Sequence, residues 1–191
     1  MRTRVLSSLA AGIALLFLGC VLVAGSEVKS RPSVGSAVPG SFHAREVFSG
    51  QNIPFVEEFE FKSPVVLVFA RQIDDLLVKL ITGIDKAVAK NNDDPKKTKD
   101  VYSLTVLLTD DDERDAKTLR AIAEKQKFKY MYLATTNPAG PRNYRLNRDA
   151  GVIVIFYEKN TVKANYAFKK GGLDEKSIDK VISGLSKHFA E

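Results

Sequence analysis

The chain has 191 residues, of which 45% are hydrophobic and 27% charged. That is enough for one domain with its own core, and it excludes a wholly disordered chain. The charge is 29 Lys+Arg against 23 Asp+Glu, a net +6 with both signs spread along the chain, so no clustered nucleic-acid footprint is present. One cysteine and two histidines exclude an intramolecular disulfide and leave a thiolate–imidazole zinc site without ligands.

The N-terminus reads as an address. Arg2 and Arg4 precede a stretch from Val5 to Ser26 with no charged residue, almost wholly apolar from Ile13 to Val23. Charge followed by an apolar core is the order of a secretory signal. Three fates are consistent with it. A peptidase cuts near Ala24-Gly25-Ser26, or Leu18-Gly19-Cys20 acts as a lipobox with Cys20 lipidated, or the segment stays uncut as an anchor of about 20 apolar residues. Loss of residues 1–26 removes two arginines and no acid, which leaves +4 from +6. The protein is therefore expected to be exported, periplasmic or extracellular, and to meet a membrane only through residues 1–26.

Residues 27–40 are rich in Ser, Gly and Pro and read as a linker. The domain proper is expected over residues 41–190. Ser41 to Phe61 predicts a short hairpin or wrapping arm around a turn at Gly50-Gln51-Asn52. Pro64 introduces Val65-Val66-Leu67-Val68-Phe69-Ala70, an apolar run that suits a strand buried on both faces. Apolar residues from Ile73 to Val88 then recur at helical spacing and predict a helix over 73–90.

The unit repeats. Residues 101–108 predict a second strand. Asp110 to Glu113 opens a second helix, with capping-box spacing between Asp110 and Glu113. A short strand follows at 130–134, then a long loop over 135–150. Residues 151–157 and 162–168 predict a hairpin. Asp174 caps a last helix with Ile178, Val181, Ile182, Leu185 and Phe189 as its stripe. The result is an α/β fold with a mixed sheet, helices on both faces and a C-terminal hairpin plus helix.

Few residues carry chemistry. The acids from Asp110 to Asp115 lack an EF-hand pattern and suit a helix start. Arg142, Arg145 and Arg148, spaced by three around Tyr144 in the long loop, are candidates for an anion or partner site. His43 and His188 are isolated. No nucleophile elbow, Ser-x-x-Lys or P-loop is present. No cofactor and no metal are expected.

The order of elements is similar to that of the thioredoxin-like superfamily. Val34-Gly35-Ser36-Ala37-Val38-Pro39-Gly40-Ser41-Phe42 resembles the Gly…Pro…Phe opening of redoxin and peroxiredoxin domains. Pro64 to Ala70 resembles their central strand. Asp149-Ala150-Gly151-Val152 stands where the family turns back into the sheet. The likeness covers residues 34–190 and implies a three-layer α/β/α thioredoxin-like fold. The family's reactive cysteine opens the first helix, where the helix N-terminus stabilises a thiolate. Here that stretch is Arg71-Gln72-Ile73-Asp74-Asp75, without cysteine, and the family's proline before the returning strand is absent.

The resemblance thus implies a degenerate redoxin-like domain that binds or scaffolds, with no catalytic residue. Its candidate groove is Arg71, Asp74, Asp75, Arg142, Tyr144, Arg145 and Arg148. The expected partner is another protein or an envelope component, with no nucleic acid. Two alternatives stand beside this: an enzyme using Asp74 or Asp75 as general base, and a membrane-tethered structural envelope protein.

Overall fold

The structure is a computed structural model that describes residues 27–59 and 63–190. The expected signal segment, Cys20 within it, and Phe61 lie outside the described residues.

A seven-stranded mixed sheet organises the chain. Its strands are β1 (His43–Glu46), β2 (Asn52–Pro54), β3 (Val65–Ala70), β4 (Tyr102–Leu108), β5 (Met131–Thr136), β6 (Ala150–Glu158) and β7 (Thr161–Lys169). The order across the sheet is β2-β1-β5-β4-β3-β6-β7. β3, β4 and β5 run parallel, while β6 and β7 close the other side antiparallel. The helices are α1 (Phe55–Glu58), α2 (Asp75–Asn92), α3 (Asp112–Gln126) and α4 (Glu175–Ala190). This is a mixed α/β architecture of the thioredoxin-like kind.

Every residue of β3 is buried, because the strand lies between two cores. Val66, Val68 and Ala70 face one cluster, and Val65, Leu67 and Phe69 face the other. This explains the unbroken apolar run in place of alternation. The first cluster takes Leu77, Leu80, Ile81, Ile84 and Val88 from α2, Leu119 from α3, and Ile178, Val181 and Leu185 from α4.

The three long helices therefore share one face of the sheet, where the sequence suggests helices on both. The cause is strand order. Both crossovers step the same way, β3 to β4 to β5, and right-handed connections then lie on the same side. The layer on the second face is irregular. It is built from α1, a 3-10 turn at Arg142–Tyr144 and the N-terminal segment, which supply Phe55, Phe59, Tyr144, Phe42 and Val38.

Two local expectations shift. α2 begins at Asp75 rather than residue 73, because Asp74 takes an extended backbone and accepts the Leu77 N–H at 2.8 Å. α3 is capped by Asp111, not Asp110: its carboxylate accepts the Arg114 N–H at 3.2 Å. Asp174 does cap α4, accepting from the Ser177 N–H at 2.7 Å.

Residues 27–40 are not a free linker. Val28 N–H donates to the Ala167 carbonyl at 2.8 Å and Gly35 N–H to that of Val162, also at 2.8 Å. Between these points the Asn165 amide donates to the Ser30 and Pro32 carbonyls. The segment is a strap along the outer edge of β7. An exposed strand edge is a row of unpaired peptide groups, and these contacts satisfy part of it.

Candidate functional site

In an open α/β sheet, ligands collect outside the carboxyl ends of the parallel strands. Here β3 ends at Ala70 and β4 at Leu108. Between them and the start of α3 lies an open cleft of about 580 Å³, lined by Arg71, Thr109, Asp110, Arg114, Pro138 and Lys170 among others.

Arg71 is the residue that builds this end of the sheet. Its backbone N–H donates to the Gly151 carbonyl at 2.9 Å. Its Nε donates to the Ala150 carbonyl at 3.0 Å and its Nη1 to that of Pro138 at 2.6 Å. One side chain thus ties the end of β3 to the 137–149 loop and the start of β6. Burial, and then the nearby charge of Arg148, hold the guanidinium below its ordinary value. Arg148 is thus near enough for its charge to act on Arg71.

The other candidates separate. Asp74 is engaged at both oxygens: one caps α2 and the other accepts from the Gln72 amide at 2.7 Å. Asp75 lies beside Val78, Lys79, Ile178 and Ile182, between α2 and α4 and away from Arg71. Arg142, Arg145 and Arg148 are exposed. Tyr144 is a correction. It is fully buried, packed edge-on against Phe42 at 5.3 Å and Phe69 at 5.5 Å, with its hydroxyl 3.3 Å from the Gly40 carbonyl. Burial, and secondarily Tyr157, push its phenol far above the ordinary range. The loop uses Tyr144 as its plug into the core, and a plug cannot line a surface site.

The opposite wall of the cleft holds residues that sequence spacing does not single out as a site. Arg114 Nε donates to Asp115 at 2.9 Å, and Thr109 donates to the same carboxylate at 2.6 Å. The Arg114 hydrogen bond, and a smaller one from Thr109, lower the Asp115 carboxyl although burial opposes them. Only the strand topology could have pointed here, since Arg71 and Arg114 are far apart in sequence. Arg114 also meets Asp111, so this cation and its two acids form one paired group. Among the described residues no three His, Cys, Asp or Glu side chains converge as metal ligands do.

Chemically, the position where a thioredoxin-like domain presents its thiol is occupied by a capped helix start. Its charges are engaged in holding loops. The arrangement offers surface, cations and hydrogen-bond donors.

No protein-family model matches the chain, and no curated protein does either. Solved structures do. A Bacteroides thetaiotaomicron protein described as a protein disulfide isomerase superposes with a TM-score of 0.61 at 14% identity, over 86% of this chain and 95% of its own. Reduced Prx3 of Vibrio vulnificus, in complex with hydrogen peroxide, gives 0.58 at 14% identity, over 81% and 99%. Arabidopsis thaliana ScoI with copper bound gives 0.53 at 16% identity, over 83% and 99%. The chain has the thioredoxin-like fold of the disulfide-exchange and peroxiredoxin proteins, and carries a single cysteine. At such identities the likeness is one of fold, and function has to be argued from the site.

Proposed function

We propose that this protein is an exported, non-catalytic thioredoxin-like domain that acts as a binding or scaffold module. One observation carries the reading. The stretch between β3 and α2 is Arg71-Gln72-Ile73-Asp74-Asp75, and the dipole that would stabilise a thiolate is met by the Asp74 cap. The surface around Arg71 and the 142–148 loop is the docking face in this reading, for another protein or an envelope component. Export is supported by the charge-then-apolar order of residues 1–26. Among the described residues no helix is long and apolar enough to cross a membrane.

The enzyme alternative needs a carboxylate free to move a proton. Asp74 is held by two donors and Asp75 faces away from the cleft, so the geometry favours binding. Assays against hydrolase and peroxide substrates decide between them. The account expects no turnover by the full chain. A pH–rate profile that disappears in Asp74→Asn would establish the enzyme instead. The intact mass of protein from its native host tests export: a chain starting near Glu27, or one starting at a lipidated Cys20, supports it.

A further inference from the structure

We infer that the strap and the 142–148 loop together form a basic face that docks on anionic lipid headgroups. This rests on the binding-module reading and names the partner of its docking surface.

The face is contiguous. The Asn147 amide donates to the Lys29 carbonyl at 2.8 Å, and the Ser30 hydroxyl accepts from the Asn147 N–H at 3.1 Å. These bonds join strap to loop. Lys169 pairs with Ala150 across β6 and β7, and Lys170 N–H donates to the Asp149 carbonyl at 3.1 Å. The end of β7 is thereby continuous with the same loop. Six cations result: Lys29, Arg31, Arg145, Arg148, Lys169 and Lys170, all exposed. None is ion-paired among the described residues, whereas Lys79, Lys99, Arg114, Lys129 and Lys180 each have a carboxylate partner. The acids nearby are Asp149, which is exposed, Glu27, which is held by Lys180, and Asp110 and Asp115, which line the same cleft as Lys170. Cations outnumber acids on this face.

Two further observations select lipid over an acidic protein. Val34, 61% exposed, stands on the same strap, next to Gly35, whose N–H meets the Val162 carbonyl. An exposed apolar side chain on a strap that also carries cations suits a headgroup–acyl boundary. The strap is also the segment that leads to residues 1–26. The apolar stretch ends at Val23, four residues before Glu27, at most roughly 14 Å of extended chain. Whatever holds that stretch in a bilayer brings this face to its surface. A single anchor is weak, and a basic patch is the usual second contact.

The chain contains no tryptophan, so one can be introduced as a reporter. Val34→Trp marks the strap. Tyr132→Trp, at a 45% exposed position on β5 on the other side of the sheet, is the control. Each full-length variant is reconstituted in vesicles containing brominated phosphatidylcholine as quencher, with or without phosphatidylglycerol. The strap reporter should be quenched with phosphatidylglycerol present and recover at about 1 M salt, where screening acts within ~3 Å. Lys29→Gln with Arg148→Gln should lower the docked-to-free ratio about 25-fold, from about fivefold per cation. Equal quenching on neutral and anionic vesicles overturns the proposal. So does quenching that ignores salt, equal quenching of the control, or a response to polyglutamate alone, which would assign the face to an acidic protein. None of these touches the absence of redox turnover, on which the binding-module reading is judged separately.

Discussion

At the scale of single residues, acidic side chains hold backbone in place. Asp85 on α2 is 6% exposed and accepts from the N–H groups of Lys129 and Tyr130, at 3.1 and 2.7 Å for the shorter bonds. It fixes the chain between α3 and β5. Asp85→Ala strands both donors in a buried place, so urea unfolding should show a loss of roughly 2–4 kcal/mol. Glu46 does the same at the β1–β2 turn, accepting from Phe48 N–H at 3.0 Å and Ser49 N–H at 2.6 Å. Burial alone would raise its carboxyl, but those donors outweigh it and hold it below the ordinary 4.5. A lowered carboxyl stabilises fully above the unfolded value and loses that contribution as pH falls through the folded one. Glu46→Gln should cost roughly 0.5–1 kcal/mol at neutral pH, limited by its solvent exposure. The difference from wild type should shrink below pH 4.5 in a melting series.

At the scale of elements, the sequence is legible where one physical rule dominates. β3 shows as an unbroken apolar run, and α2 and α4 show as stripes, because burial dictates those positions. The cap of α4 is legible because Asp174 directly precedes its helix. α3 begins within a run of acids, any of which could cap, so its start is displaced by one residue from the sequence reading. Tyr144 misleads for another reason. Its arginine neighbours suggest a wet loop, and only the aromatic pocket of Phe42 and Phe69 shows that it points inward. The strap misleads likewise: Ser, Gly and Pro suit a linker, and equally a chain that hydrogen-bonds an edge through its backbone.

Two substitutions test the element account. Asp74→Ala removes the α2 cap and should cost about 1 kcal/mol in denaturant unfolding. Gly151 sits where a Cβ would lie 2.9 Å from Lys170 Cα, a backbone atom that cannot rotate aside. Gly151→Ala should part β6 from β7 at their irregular register and cost roughly 1–3 kcal/mol. Proton exchange should accelerate at the ends of both strands.

At the scale of the whole molecule, the strand order decides where a site can be. β3 has β4 on one side and β6 on the other, so its carboxyl end opens beneath the loop that Arg71 pins. A thioredoxin-like fold with a thiol there would exchange disulfides. In the proposed reading, with Asp74 at the helix start, the same fold is a frame for a basic loop. The family resemblance implies that the long loop with Arg148 borders Arg71. It could not supply Arg114, Asp115 and Lys170, which reach the cleft only through the sheet's topology.

The central claim is that this fold works here without redox chemistry. Insulin disulfide reduction by the full chain with dithiothreitol, beside the Cys20→Ser variant and a protein-free blank, tests it most directly. The account predicts one background rate for all three. Turnover above background would contradict it, and loss of that turnover in Cys20→Ser would assign the chemistry to the chain's single thiol.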